Sequence, residues 1–249
     1  INYMNNVFIL LVKPQLGQNI GSVARVMKNL NFKNLRIINP RDGWPNQDVI
    51  STAAGADDII TNTKVFDSIS EACNDLNYLF ASSVRKRDLK IKTLNLVNTI
   101  SSLNKTKFTT NDFKFGILFG CESSGLSNED LITANQLIYI PSNSDFSSLN
   151  ISHAVSLICW EFFKFFNDLI LDQNSKISLN TSPTIKDMDY FYKNLCEKLN
   201  NSGFFHSDFM KKSIMENIKV LFNRAELSSQ EIKTLNGIIK SLYEYNKQA

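Results

Sequence analysis

Short apolar runs alternate with amphipathic stretches over the first two thirds of the chain. The runs have the length of buried strands, and they lie at 7–12, 35–38, 76–82, 114–119 and 137–140. The stretches between them carry the spacing of helices, at 22–31, 51–56, 69–74, 128–134 and 151–166. This alternation predicts an α/β domain with a mostly parallel sheet flanked by helices.

A polar segment at 167–187 separates this α/β part from a second region. The segment is rich in Asn, Ser, Asp and Thr and contains Pro183, which is typical of a linker. Beyond it, apolar periodicity predicts three helices, at 187–201, 210–222 and 229–246. The pattern therefore predicts an α/β domain over 1–166, a linker over 167–187 and a small all-α extension over 188–249.

Composition and cysteine usage indicate a globular protein of a reducing compartment. Apolar residues make up 43% of the 249 positions and charged residues 20%. No apolar run approaches the roughly eighteen residues of a membrane span. The four cysteines lack a CxxC pair, and two histidines are too few for a histidine-based metal site. We therefore expect a cytoplasmic protein with reduced thiols, no membrane span and no metal.

The net charge of +3 is weak evidence for a nucleic-acid partner, but positive charge is concentrated locally. The segment 85–92 carries five basic side chains and one acidic side chain. Such a run contacts phosphates in many proteins, and in many others it is a solvated loop. Charge alone does not decide between these interpretations.

Three segments of unusual composition follow predicted strands, at 82–92, 120–125 and 141–150. Ligands of α/β sheets bind outside the carboxyl ends of strands, so these segments are the first indication of a site. In the second segment, two glycines around Glu122 allow a backbone to approach a ligand closely, although a plain turn has the same composition. The third is dense in hydroxyls and amides, which suits a polar ligand, a helix cap at Ser148 or Asn150, or both.

A fourth segment, 18–25, contains a glycine turn that we expect to open a helix at residue 22. The first turn of a helix exposes backbone N–H groups to an anion, and Arg25 would lie one turn further on. The planar guanidinium of arginine suits a phosphate, but an ordinary helix start with a surface arginine fits equally well. The spacing is not GxGxxG, which argues against a nicotinamide-dependent oxidoreductase.

Three segments resemble the three motifs of the TrmH-type SPOUT RNA methyltransferases. They read QNIGSVARVMKNLNF at 18–32, FGCESSGLSNEDL at 119–131 and IPSNSDFSSLNISHAVSLICWEF at 140–162. The last motif and the tail are most similar to the TrmJ subfamily, which methylates the ribose 2′-hydroxyl of tRNA nucleotide 32. The resemblance covers nearly the whole chain. It implies a sheet with a C-terminal trefoil knot, a tRNA substrate and a tRNA-binding role for the tail.

The resemblance also implies that S-adenosylmethionine binds in the loops after the strands. The matching positions are Ser82, Ser83, Val84, Gly120, Ile140, Ser147, Ser148 and Leu149. One departure from the family pattern is Cys121, which stands where many members have arginine and so removes a contact available to them.

Arg25 matches the catalytic arginine of the family. A guanidinium stays protonated, so it is a poor base for a ribose hydroxyl. We therefore expect Arg25 to grip the phosphate beside the target ribose and to position the 2′-oxygen. Further positions match supporting motif residues or lie in the basic segment beside the cofactor loop, namely Asn19, Glu122, Asn150, Arg85 and Arg87.

The apolar face of 151–166 matches the helix that the family uses to form homodimers. That face comprises Ile151, Ala154, Val155, Ile158 and Phe162. It would equally serve to pack the helix on its own sheet. The functional alternatives are a 2′-O-methyltransferase for another tRNA or rRNA position and a catalytically silent RNA-binding protein of the same fold.

Overall fold

Seven parallel strands form the centre of the fold. The computed structural model describes residues 3–83, 91–103, 108, 110, 112–171 and 182–245. The strands are β1 (Val7–Val12), β2 (Asn34–Ile38), β3 (Lys64–Phe66), β4 (Tyr78–Ser83), β5 (Thr93–Asn95), β6 (Phe115–Phe119) and β7 (Gln136–Tyr139). Their order in the sheet is β3-β2-β1-β6-β4-β7-β5, and every pairing is parallel.

The strand order requires the chain to return twice to the middle of the sheet. Strand β6 lies between β1 and β4, and β7 lies between β4 and β5. The predicted parallel α/β sheet is confirmed, and the trefoil knot stays a prediction. Strands β3 and β5 were not predicted, because each has three residues, lies at an edge and carries no apolar run.

Ten α-helices have described bounds, in addition to a short 3₁₀-helix at Tyr3–Asn6. Six precede the long helix, namely α1 (Gly17–Asn29), α2 (Gln47–Ala53), α3 (Asp57–Asn62), α4 (Ile69–Cys73), α5 (Leu96–Ser101) and α6 (Asn128–Leu131). The others are α7 (Ile151–Leu171), α8 (Ile185–Asn201), α9 (Asp208–Ala225) and α10 (Ser229–Tyr245). None of the described helices is long and apolar enough to cross a membrane.

Both faces of the sheet are buried, as expected for parallel strands. Ile9 and Leu11 of β1 point into one core with α1 and α7, whereas Leu10 and Val12 point into a second core with α4 and α6. All five residues of β6 are buried. The central strands are therefore rigid supports for the loops that leave their carboxyl ends.

Helix α1 begins at Gly17, five residues earlier than predicted. Gly21 lies inside the helix, so the prediction of a glycine turn with free N–H groups at this point is wrong. A Cβ atom at Gly21 would lie 2.7 Å from the carbonyl oxygen of Val49 and 2.9 Å from the backbone nitrogen of Ala53. The glycine therefore permits close packing of α1 on α2, which sequence spacing alone does not reveal.

The apolar face of α7 packs on its own sheet. Val155, Ile158 and Phe162 are fully buried in the same core as β1 and β6. Of the two interpretations of this face, packing on the sheet is the correct one, and the dimer prediction cannot rest on these side chains. Leu157 and Trp160 lie on the outward side of the helix and are about half exposed.

The tail forms a helical unit with a small core of its own. Phe191, Tyr192 and Ile232 are buried together, and Asn194 Nδ2 donates to Asn236 Oδ1 at 2.9 Å. Helix α8 begins with a capping box, in which Thr184 accepts from the backbone N–H of Asp187 and the Asp187 carboxylate accepts from that of Thr184. Of the predicted linker 167–187, the residues to Leu171 belong to α7 and those from Ile185 belong to α8.

The tail contacts the α/β part directly. The backbone N–H of Ile185 donates to the carbonyl of Leu76 at 2.6 Å, and Tyr78 Oη donates to Glu226 Oε1 at 3.1 Å. Since Tyr78 lies at the start of β4, these two contacts are at the amino end of that strand.

Candidate active site

The carboxyl end of β4 and the loops that follow β6 and β7 line one cleft. Seven of the positions expected to bind cofactor line it, namely Ser82, Ser83, Gly120, Ile140, Ser147, Ser148 and Leu149. Val84, Arg85 and Arg87 lie outside the described residues. The cleft thus brings together segments that are far apart in sequence, and what these residues bind remains a prediction.

The cleft walls combine apolar side chains with hydroxyl and backbone groups. Leu126, Leu131, Ile151 and Ala154 line it beside Ile140. Sequence reasoning missed these four residues, because apolar side chains next to a loop have the same pattern as ordinary core residues. Flat apolar surfaces with a few polar groups are what an adenosine-bearing ligand needs, so the cleft fits S-adenosylmethionine.

Gly120 allows the loop after β6 to fold back on itself. A Cβ atom at this position would overlap the backbone of Gly125 and Leu126. The loop is closed by the backbone N–H of Gly125, which donates to the carbonyl of Cys121 at 2.9 Å, and Gly125 adopts a positive φ of 69°. The glycine pair therefore has a steric purpose, and a plain open turn would not need it.

Glu122 binds the start of helix α1. Its Oε2 accepts from the backbone N–H of Gln15 at 2.9 Å, and its Oε1 accepts from that of Leu16 at 3.4 Å and from Asn19 Nδ2 at 2.8 Å. Leu16 is the N-cap residue of α1 and supplies no side-chain cap. The carboxylate therefore satisfies amide groups that the helix leaves open and places negative charge at its positive end.

Asn150 extends this network to the third motif. Its Nδ2 donates to Asn19 Oδ1 at 2.9 Å, and its Oδ1 accepts from the backbone N–H of Ser152 at 2.8 Å. The expected helix cap is thus supplied by Asn150. The chain of contacts from Glu122 through Asn19 to Asn150 fixes the three motif segments relative to one another, which no single segment predicts.

Arg25 does not line the cleft of its own chain. It lies six residues after Asn19, about 9 Å along the axis of α1 at ~1.5 Å per residue. Its side chain is exposed and has no ion-pair partner among the described residues. The face that it shares with Gln18 and Ser22 points away from the core. The guanidinium is therefore open to an anion arriving from solvent.

Cys121 lies in the cleft, and sequence reasoning did not assign it a role there. Its Sγ is 3.0 Å from Ser124 Oγ and 3.6 Å from Ser123 Oγ. Partial burial acts to raise the pKa of the thiol, but the hydrogen bonds with Ser124 and Ser123 outweigh it and hold the pKa below its ordinary value. By contrast, burial raises the pKa of the Cys73 thiol to about 12.

Clusters of potential metal ligands are absent from the described part of the chain. No group of three or more His, Cys, Asp or Glu side chains is arranged there to hold an ion. The polar groups of the cleft are serine hydroxyls, backbone amides, the Cys121 thiol and the Glu122 carboxylate, which already accepts three hydrogen bonds.

Comparison with known proteins identifies the family. Residues 6–160 match the family model described as the SpoU rRNA Methylase family, which is more than half of the chain. The chain belongs to the SpoU methylase family. Residues 186–249 of this SpoU methylase match the model described as the tRNA methyltransferase TrmJ, C-terminal domain. The family predicted from the three motifs and the tail is confirmed.

Relatives match this SpoU methylase along its whole length. A Sodalis glossinidius protein named tRNA (cytidine/uridine-2'-O-)-methyltransferase TrmJ is 30% identical, covering 98% of this chain and 94% of the relative. The Salmonella typhimurium protein of the same name is 31% identical, covering 98% and 99%. The crystal structure of TrmJ from Z. mobilis ZM4 is similar with a TM-score of 0.79 and 31% identity, covering 94% of this chain and 97% of that one.

Proposed function

We propose that this SpoU methylase transfers a methyl group from S-adenosylmethionine to the ribose 2′-hydroxyl of tRNA nucleotide 32, in the anticodon loop. The observation that carries the proposal is that the second and third motif segments line one cleft, and that Asn19 of the first motif is bound to this cleft through Glu122 and Asn150. Relatives named as tRNA cytidine/uridine 2′-O-methyltransferases match the tail as well as the cleft, which favours tRNA. A tRNA substrate implies reaction in the cytoplasm.

The cleft supplies binding and orientation. S-adenosylmethionine, when bound, provides an electrophilic methyl group on its sulfonium sulfur. Leu126 and Ile140 offer apolar surface for the adenine ring, while Ser147 and Ser148 offer hydroxyl and backbone groups to its polar edge. Leu126 and Ile140 are buried and fix the orientation of the ligand, while the loop with Ser147 and Ser148 closes the side towards solvent.

Arg25 positions the RNA. Its guanidinium donates two parallel hydrogen bonds to the phosphate beside the target ribose, which aligns the 2′-oxygen with the methyl group. Because Glu122 and Asn19 fix α1 relative to the cleft loops, the position of this phosphate is set by the same network as the cofactor loops. An acid–base role would require a neutral guanidinium, which proteins do not provide.

A homodimer is part of the proposal. The inward face of α7 is occupied by the sheet, so the candidate contact is the outward face, where Leu157 and Trp160 are about half exposed and Trp160 stacks on Phe163. Exposed apolar side chains that lie together mark association surfaces. Light scattering of a Trp160→Glu variant should then report a monomer, whereas an unchanged mass would exclude this face.

The test is methyl transfer from labelled S-adenosylmethionine to unmodified tRNA transcripts, mapped by nuclease digestion and mass spectrometry. Arg25→Ala should lower kcat/KM by about a hundredfold or more, because the ribose is no longer held in line. Arg25→Lys should recover little of it, since a lysine cannot grip phosphate in two places. The matched control is Lys28→Ala on the same helix, which loses only an exposed ion pair with Asp58.

Each outcome bears on a different part of the proposal. A ribose methyl at nucleotide 32, lost in Arg25→Ala and kept in Lys28→Ala, supports all of it. A ribose methyl at another nucleotide overturns the position and keeps the chemistry. Absence of transfer, together with no binding of S-adenosylmethionine in calorimetry, would leave the silent RNA-binding alternative.

A further inference from the structure

Helices α8 and α10 lie side by side and leave a groove between them. Asn194 Nδ2 donates to Asn236 Oδ1 at 2.9 Å, and Asn201 Nδ2 donates to Tyr243 Oη at 3.2 Å. Both pairs are 42 residues apart in sequence, so the two helices run parallel with a constant offset. The asparagine pair joins the two helices across the groove and fixes their spacing.

The groove is lined by three lysines, two tyrosines and one acid. They are Lys198, Lys233, Lys240, Tyr190, Tyr243 and Glu244. The acid lies 3.8 Å from Lys240 Nζ, and Lys198 pairs with Glu197 at 2.9 Å. Lys233 is exposed and has no ion-pair partner among the described residues. The groove is therefore basic on balance, although the net charge of the whole chain is only +3.

The two tyrosines differ in a way that suits a ligand. Tyr243 is anchored by Asn201 and by Lys198, whose Nζ lies 4.6 Å from the ring centroid. Tyr190 leaves 68% of its surface exposed, so the face of its ring is accessible from solvent. Aromatic faces beside lysines are the combination that holds single-stranded nucleic acid, because bases stack on rings and phosphates pair with cations. An acidic peptide would pair with the lysines but would not need the aromatic rings for stacking.

Gly237 lies on α10 between two of the lysines that line the groove, although it is not itself a lining residue. It lies in the middle of α10, four residues after Lys233 and three before Lys240, so all three share one helix face. Glycine destabilises a helix interior relative to alanine. A Cβ atom at this position would meet nothing within 4 Å, so the packing of the chain does not require the glycine. A bare backbone between two lysines allows a ligand to approach closely.

We propose that the groove between α8 and α10 binds a single-stranded segment of the RNA substrate. Phosphates pair with Lys233 and Lys240 over Gly237, and a base stacks on Tyr190. The identity of that RNA as tRNA rests on the proposed function, whereas the groove itself rests on its own side chains. The groove lies on the tail and shares no lining residue with the cleft.

The experiment measures binding of the full chain to an end-labelled, unmodified tRNA transcript by fluorescence anisotropy, without cofactor and at several salt concentrations. Lys233→Ala/Lys240→Ala should weaken binding by about tenfold and reduce the slope of log K against log salt by about 1.4, at ~0.7 per phosphate contact. The charge-matched control is Lys193→Ala/Arg224→Ala, which removes two exposed cations of the same tail outside the groove. Its affinity should fall by no more than about threefold.

Three further variants test base stacking and close approach to the backbone separately from charge. Tyr190→Ala should weaken binding with the salt slope unchanged, and Tyr190→Phe should bind like the wild type, because stacking needs the ring and not the hydroxyl. Gly237→Ala should raise the Tm and weaken RNA binding together. A glycine with a structural role only would change the Tm and leave the affinity as it is.

The outcomes distinguish this proposal from the proposed function. In one outcome the wild type transfers methyl groups, and the groove variants bind and methylate RNA as well as the control variant does. This outcome would overturn the RNA-binding role of the groove and leave the proposed function intact. RNA binding that depends on the groove in a protein without methyl transfer would overturn the function and leave the groove intact. If the groove variant and the control variant lose the same affinity for RNA, the effect comes from the net positive charge of the tail, and the RNA-binding role of the groove is overturned.

Discussion

The cleft and the tail groove hold their polar side chains in different ways. In the cleft, Glu122, Asn19 and Asn150 bind one another and the backbone of α1, so their positions are set by hydrogen bonds of 2.8–2.9 Å. In the groove, Lys233 and Tyr190 extend into solvent with little to hold them. Methyl transfer needs reacting atoms in a fixed geometry, whereas phosphates and bases can be held by side chains that adapt.

The same substitution should therefore have opposite effects in the two regions. Gly120→Ala places a Cβ against the backbone of Gly125 and Leu126, so we expect loss of S-adenosylmethionine binding by about a hundredfold and a free energy of unfolding lower by about 1–3 kcal/mol. In Gly237→Ala the added Cβ has no neighbouring atom within 4 Å, so the substitution should raise the free energy of unfolding by about 0.5–1 kcal/mol. Calorimetry and thermal unfolding measure both. Equal effects of the two substitutions would contradict the comparison.

Removal of a carboxylate tests whether the cleft network is needed for geometry. Glu122→Ala leaves Gln15 N–H and Asn19 Nδ2 without their acceptor, which should cost about 1–3 kcal/mol of unfolding free energy and lower kcat by about tenfold or more. Glu129→Ala is the control, because it breaks only an exposed ion pair with Lys212 and should cost less than about 1 kcal/mol. A Glu122 variant with normal kcat would show that the network serves stability alone.

The rate of thiol alkylation should show whether a ligand binds in the cleft, with a cysteine of the tail as the reference. The pKa of Cys121 lies below its ordinary value, so its thiolate is present at lower pH and its alkylation by iodoacetamide should begin first as pH rises from 6. S-adenosylmethionine should slow this reaction by about tenfold, since Cys121 lines the cleft. Cys196 of the tail should react at an unchanged rate. Peptide mass spectrometry measures both, and equal protection of the two cysteines would argue against cofactor binding in the cleft.

The central strands were predictable because burial on both faces leaves a continuous apolar run. The five predicted runs overlap β1, β2, β4, β6 and β7, while the three-residue edge strands left no such signal. Four helix starts, at 69, 128, 151 and 229, agree with the prediction, whereas the predicted start of α1 is five residues late. The group that caps α1 is Glu122, which is more than a hundred residues away in sequence. No residue near Leu16 therefore predicts that a helix begins there.

The candidate site divides in the same way. Loop composition after strands was enough to indicate the segments 120–125 and 141–150, because parallel strands bring their carboxyl ends to one edge, whereas the individual positions Gly120 and Ser147 came from the resemblance to the family. The apolar walls at Leu131 and Ala154 were not distinguishable from core residues. Arg85 and Arg87 of the basic segment lie outside the described residues, so their phosphate contacts stay a prediction.

The sequence by itself determined the α/β class, the three motif segments and the helical tail, because each is encoded by residues close together in the chain. Tertiary structure alone decided that Gly21 serves helix packing and that the apolar face of α7 is covered by its own sheet. It also decided that Tyr190 and Lys240 share a groove. These features depend on which distant segment lies opposite each side chain, and local periodicity carries no information about the opposing surface.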